Sequence, residues 1–412
     1  MLKQVIQTLG SRVASAVLNF CTIIALSQYL GASGKGEASV FITYVGFMVV
    51  LSEFVGGSTL VFLTPRYNLK SLLLPSIGWT LLTSILFSVF AYIMEPQDVY
   101  SIPVILTVGF LASVNSLLQK ILSAIEKFYF LSILNILQAL LILASLMVFF
   151  NYAARQSVYY PAALILTYIV TVLMCVYTLI KSSREQALPS AGFKELVFLG
   201  FSNQIAHVFH LISTRYAFIA ITRNIGPFQT GVFSNAVQIA EAIWLITNSF
   251  ATVQYAKIAN HHDAQESVKL TNVLGRITLL LTLFALLVAN LLPAVFYVYI
   301  FGPDFYTIKT PLFILSSGTI FFNLMLIYGH YFSGQGIYYY NTFSVFMSSI
   351  ITVILFSIYK DDLTIQSASW ITSLSYIVSG LLIFVIYCYK AKQSFKILSP
   401  QLNDLNNLKK LI

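Results

Sequence analysis

The stretch VYYPAALILTYIVTVLMCVYTLI, residues 158–180, contains no charged side chain and no alternation of polar with apolar residues. Wound as a helix at about 1.5 Å per residue, it crosses a hydrocarbon core of roughly 30 Å. A helix also closes its own backbone hydrogen bonds, which lipid demands. A strand of a membrane barrel would alternate with period two, and this run does not. Similar runs recur on both sides. They predict about twelve spans, near residues 8–30, 38–63, 71–94, 100–122, 128–150, 158–180, 195–222, 229–256, 273–299, 308–332, 339–359 and 365–389. The expected fold class is therefore an all-α integral membrane protein. The longest expected loop is 257–272, and nothing between the spans is large enough for a catalytic domain.

Composition agrees. Of 412 residues, 58% are hydrophobic and 9% charged, against about 25% charged in soluble domains. The net charge of +9 does not call for nucleic acid, because the bases lie beside the spans, where topology accounts for them. Cys21, Cys175 and Cys388 sit inside apolar runs without metal-ligand spacing and read as small helix-facing residues. The first apolar run lacks a small-x-small exit site, so it is expected to stay as the first span.

With both termini in the cytoplasm, seventeen bases fall inside: Lys3, Arg12, Arg66, Lys70, Lys120, Lys127, Lys181, Arg184, Lys194, Lys257, Lys269, Arg276, Lys390, Lys392, Lys396, Lys409 and Lys410. Only five, Lys35, Arg155, Arg223, Lys309 and Lys360, fall outside. That bias orients the chain and requires an even number of spans.

The chain also echoes itself. LGASGKGEAS (30–39) matches IGPFQTGVFS (225–234), placing Gly31, Gly36 and Ser39 on Gly226, Gly231 and Ser234 at an offset of 195. SAIEKFYF (123–130) matches SGQGIYYY (333–340) at an offset of 210. Two echoes in the same order point to a six-plus-six duplication with its axis along the membrane normal. The expected organisation is a first bundle at 1–183, a cytoplasmic linker at 184–194, a second bundle at 195–390 and a cytoplasmic tail at 391–412.

An opening helix with Leu9-Gly10-Ser11-Arg12, an LGxxxxG turn, a second start at Leu199-Gly200, and FGPDF (301–305) ahead of Pro311-Leu312 and Leu315 occur in that order. Over nearly its whole length the chain thus resembles the Wzx-type O-antigen and polysaccharide flippases of the multidrug/oligosaccharidyl-lipid/polysaccharide exporter superfamily. The resemblance implies two pseudo-symmetric six-helix bundles around a central cavity in the bacterial inner membrane. It also implies transport of an undecaprenyl-pyrophosphate-linked oligosaccharide, such as an O-antigen repeat for lipopolysaccharide, between leaflets by alternating access. Other polysaccharide-assembly membrane proteins are possible partners; no cofactor or nucleic acid is implied. The family carries no short invariant motif from which site residues could be transferred.

Site candidates come instead from charge inside the spans, where each ion costs about 2.5–3.5 kcal/mol on insertion scales. Arg215, Glu53 and Glu241 are mid-span, and Arg12 lies near the end of span one. At 100° per residue, Asn203, Gln204, His207, Thr214, Arg215 and Thr222 share an arc of roughly 120°, bordered by His210. Thr230, Ser234, Gln238, Glu241, Asn248 and Thr252 form a second stripe; Thr8, Arg12, Ser15, Asn19 and Thr22 form a third. Substrate contact is assigned to Arg215, His207, Gln204, Arg12, Asn19 and Asn248, and ion coupling (H+ or Na+) to Glu53, Glu241 and His210. The plainer account is that such groups hold helices together, with Glu53 and Glu241 paired to Arg12 or Arg215. No catalytic or metal residues are assigned: there is no GxxxxGK[ST] or HExxH, and His261-His262-Asp263 reads as a solvated turn. The alternatives are a multidrug cation exporter, a lipid II flippase, and a polysaccharide polymerase or ligase, for which the periplasmic loops are too short.

Overall fold

The computed structural model describes residues 2–94, 100–152, 155–182, 189–190, 192–260, 263–399, 401 and 404, with side chains except at 2–9, 94, 193, 202 and 203. Among these residues all regular structure is helical: α1 (Leu2–Ser52), α2 (Thr59–Leu63), α3 (Leu69–Met94), α4 (Ile102–Ala124), α5 (Phe128–Tyr152), α6 (Tyr159–Ser182), α7 (Phe193–Ile225), α8 (Pro227–Asn260), α9 (Ala264–Leu291), α10 (Ala294–Phe301), α11 (Lys309–Gly334), α12 (Tyr339–Ile358) and α13 (Ile365–Lys390), with short 3-10 turns between or after them. Eleven are long and apolar enough to cross a membrane.

The twelfth expected span is inside α1. Its apolar part, Gly10–Ser52, is about twice the length a bilayer needs. Gly31 interrupts it with φ 65° and ψ −172°, a conformation open to glycine because it has no Cβ. The two sides of the break, 10–30 and 32–52, are each of span length. The loop expected at 31–37 is absent: the helix resumes at once, and Lys35 is only 2% exposed, its ammonium donating to Ser39 Oγ one turn on at 2.8 Å.

Three further expectations need correction. The second span is not continuous to residue 63, because α1 ends at Ser52 and residues 53–58 turn irregularly through Gly56 (φ 117°) and Gly57 (φ 50°) before α2. Trp79 Nε1 of α3 takes up the Leu51 carbonyl at 3.0 Å beside this break. The long loop 257–272 is mostly helix, because Asp263 caps α9 by accepting from the backbone N–H groups of Gln265 and Glu266. His261 and His262 lie outside the described residues. The ninth span is split between α9 and α10 at Pro293, which has no N–H to continue the ladder.

The chain divides into two compact units, Met1–Val208 with Ile300–Gly302, and Phe209–Tyr299 with Pro303–Ile412. The division falls within α7, while most of the expected linker 184–194 lies outside the described residues. In the first unit α1 packs on α4 and α5. Gly109 of α4 lies so close to Met48 that a Cβ there would meet its sulfur at 1.9 Å. In the second unit α11 and α13 meet backbone to backbone: a Cβ on Gly318 would sit 2.7 Å from Ser373 Cα, and one on Gly380 1.9 Å from the Phe321 carbonyl. Small residues at such crossings supply the close packing that lipid cannot drive by hydrophobicity. Ser348 and Thr352 of α12 extend it by bonding Ser375 of α13, both at 2.7 Å.

The two sequence echoes share backbone geometry as well as letters. Gly31 and Gly226 are both left-handed, at φ 65° and 95°. At the second echo Glu126 and Gly336, 210 residues apart, have φ 58° and 76°. The bonds around them also match: Glu126 N to Ser123 O (3.1 Å) and Lys127 N to Leu122 O (3.0 Å) correspond to Gly336 N to Ser333 O (3.0 Å) and Ile337 N to Phe332 O (2.9 Å). Each half thus ends a helix with the same glycine-type turn.

Candidate functional site

In the first unit the polar residues converge on Glu53, at the start of the irregular turn after α1. Its side chain is buried. Lys120 Nζ contacts Oε1 at 2.6 Å, Ser116 donates to the same oxygen at 2.7 Å, and Gln204 Nε2 donates to Oε2 at 2.6 Å. Three donors from α4 and α7 therefore hold one carboxylate. Glycines permit the approach: a Cβ at Gly57 would lie 2.8 Å from Gln204 Nε2, and one at Gly200 would lie 2.2 Å from the Phe54 carbonyl. The amide oxygen of Gln204 is buried without a hydrogen-bond partner among the described residues, and His207, one turn on, is exposed within electrostatic reach of Glu53 and Lys120.

The sequence reading missed Ser116 and Lys120. Lys120 lies one turn from the end of α4, where its charge reads as topology, yet it pairs with the acid whose expected partner is Arg12 or Arg215. The available signal was the one-turn spacing of Ser116 and Lys120, next to Asn115 and Gln119, both of which donate to Gln138 of α5. Arg12 and Asn19 are exposed on α1. The side chains of Thr8 and Asn203 lie outside those described.

In the second unit Arg215 and Glu241 form a two-pronged pair, Nη1 to Oε1 at 2.6 Å and Nη2 to Oε2 at 2.9 Å. Arg215 side-chain exposure is 28% and that of Glu241 is 22%. The pair is thus central in two membrane-length helices without being sealed by protein, an arrangement suited to water or a ligand and costly against lipid. Phe218 lies 5.4 Å below the guanidinium. Beside the pair, Trp244 stacks on Phe322 at 4.0 Å and meets Tyr376 edge-on at 5.2 Å. Trp244 Nε1 and Tyr376 OH are buried without partners among the described residues. His210 stacks on Phe322 at 5.8 Å. Asn248 is half-buried, and its neighbour Thr247, not Asn248, bonds across to Asn323.

A third charged group, Arg276, reads in the sequence only as a topology charge. Arg276 of α9 is buried, and its fork grips Asp404 in the tail (Nε to Oδ2 2.8 Å, Nη2 to Oδ1 2.5 Å) while Nη1 donates to the Ile397 carbonyl at 3.1 Å. The guanidinium holds the Asp404 carboxyl below the usual carboxylate range. Ile397 and Asp404 of the tail are thereby fastened to α9.

The family model described as polysaccharide biosynthesis protein matches residues 1–259. No curated protein sequence matches the chain. Among solved structures, the chain is similar to lipid II flippase MurJ in an inward closed conformation, with TM-score 0.73, 14% identity, and coverage of 100% of this chain and 92% of that one. It is also similar to an inward-facing multidrug resistance MATE family transporter of the MOP superfamily, with TM-score 0.70, 14% identity, and coverage of 92% and 94%. A MOP superfamily transporter from Pyrococcus furiosus, described with a binding pocket of reversed polarity, gives TM-score 0.56, 12% identity, and coverage of 97% and 96%. At these identities the likeness is one of fold.

Proposed function

We propose that this chain, which belongs to the polysaccharide biosynthesis protein family, is a flippase that carries an undecaprenyl-pyrophosphate-linked oligosaccharide from one leaflet of the bacterial inner membrane to the other by alternating access. Both termini face the cytoplasm in this reading. The observation that carries it is the Arg215–Glu241 pair, a mid-helix guanidinium left partly open. Guanidinium geometry matches two oxygens of a pyrophosphate as well as those of a carboxylate. An arriving pyrophosphate competes with Glu241 for the fork, and the carboxylate so released is the group that couples binding to an ion, H+ or Na+, in this reading. Glu53, with Gln204 and His207, is a second ion-responsive group, and His210 a third. Arg12, Asn19 and Asn248 offer polar contacts to the sugar.

The test is display of surface polysaccharide by cells that depend on this chain, with membrane protein level measured in parallel. Arg215→Ala should abolish display, and Arg215→Lys should keep a fraction through its charge alone. Normal display by Arg215→Ala/Glu241→Ala would make the pair scaffold, because the double change leaves no unpaired charge. A second reading, export of organic cations, is favoured by Glu241 lying beside the Trp244–Phe322 stack. It predicts the opposite sign: removing the Arg215 charge should raise cation efflux.

A further inference from the structure

The groove at the ends of α4 and α6 and the start of α5 belongs to none of the sites above. It has a volume of about 830 Å³ and lies wholly within the first unit. Its basic rim is Lys127 and Lys181; its apolar floor is Ile125, Phe130 and Met174; Thr178 adds a hydroxyl. Among the described residues no acidic side chain lines it. Among the described residues neither ammonium meets a carboxylate, since the ion pairs there involve Lys120, Arg215 and Arg276. The side chain of neighbouring Glu126 is exposed on the left-handed turn and does not enter the groove.

Position narrows what could fill it. Lys127 immediately precedes α5 and Lys181 lies in the last turn of α6, so the rim marks a membrane boundary. Directly along α6, Leu173, Tyr177 and Ile180 are exposed large apolar residues, a surface that acyl chains would cover. Among the described residues the groove therefore presents two cations that meet no carboxylate, above an apolar floor that continues onto lipid-facing helix. We infer that it is a binding site for one anionic phospholipid, its phosphate between Lys127 and Lys181 and its chains along α6. Basic pockets between membrane helices take anionic headgroups by this combination of charge and apolar contact. The inference stands apart from the transport reading and uses none of its residues.

The full chain in detergent would be titrated with phosphatidylglycerol, and separately with phosphatidylcholine of the same acyl chains, and retained lipids counted by native mass spectrometry. The wild type should keep one phosphatidylglycerol more tightly than phosphatidylcholine. Lys127→Gln/Lys181→Gln should bind it about thirtyfold more weakly, the factor for losing two cations at a membrane surface. Lys127→Arg/Lys181→Arg should retain it. Lys181→Gln alone should weaken it about fivefold, which guards against a double variant that fails to fold. Equal retention by wild type and Lys181→Gln, or loss in the arginine variant, would overturn the site. Undecaprenyl pyrophosphate is the competing occupant. Its displacement of bound phosphatidylglycerol at equal concentration would make the groove a substrate dock and refute the phospholipid assignment, whereas retained phosphatidylglycerol supports it.

Discussion

Removing Lys120 should cost more than removing the ion pair it forms. Lys120→Met leaves Glu53 buried with only the neutral donors Ser116 and Gln204, a loss of about 1–3 kcal/mol. Adding Glu53→Gln removes the unmatched charge, so the double variant should recover most of the thermal stability; a double variant no more stable than Lys120→Met would mean the two groups are independent. Glu53 itself was legible, because an acid inside an apolar run has no other reason to be there. Lys120 was not, because a lysine within a turn of a helix end looks the same whether it meets solvent or a partner. Asp404 was hidden for a related reason: its partner Arg276 precedes it by 128 residues, and no local pattern joins them. Its carboxyl is held low in the fold, so the ionised form favours the folded state. That contribution is complete above the ordinary carboxylate pKa of about 4 and is lost as pH falls through the depressed value. Asp404→Asn should therefore lower Tm at neutral pH and flatten its fall in acid. Parallel Tm curves for wild type and variant would exclude the linkage.

Helices and turns were more readable than side-chain partners, and the duplicated turns were the most readable of all. The segments 123–130 and 333–340 share their opening serine and closing aromatics but not the residue at the turn, yet both carry a left-handed residue with the same two closing hydrogen bonds. Glutamate occupies in one copy what glycine occupies in the other. Left-handed geometry costs a residue with a Cβ about 1–2 kcal/mol, so Glu126→Gly should raise unfolding stability by about 1 kcal/mol. Gly336→Ala, with nothing within 4 Å of its added Cβ, should lower it by a similar amount through conformation alone. Calorimetry on both variants checks the pair, and a stability change of the same sign in both would contradict the shared-turn account. What the sequence could not reveal was that a glycine-rich turn at 31–37 stays helical after its first residue. Burial of Ala32, Lys35, Ala38 and Ser39 draws that segment into the protein, and tertiary burial is invisible to a hydropathy window.

At the level of the whole chain, the class of fold follows from apolar runs that only helices could carry through lipid, and the structure adds breaks rather than removing spans. Orientation rests on loop charge, and three of the residues counted there lie within helices and pack inside the protein or pair: Lys35, Lys120 and Arg276. Setting them aside leaves fifteen bases against four, so the expectation of cytoplasmic termini keeps its sign. Reporter fusions after Lys70 and Lys127 should read as cytoplasmic, and fusions after Arg155 and Asp361 as periplasmic; two reversals would overturn the arrangement. The clasp between α9 and the tail also sets a clock on synthesis. Arg276 enters its helix 128 residues before Asp404 is made, about 6–25 s at ordinary elongation rates of 5–20 residues per second. Throughout that interval the growing chain holds a guanidinium whose counter-ion does not yet exist. The clasp can therefore close only once residue 404 has been made, and a chain cut short before it would carry an arginine without the carboxylate that answers it.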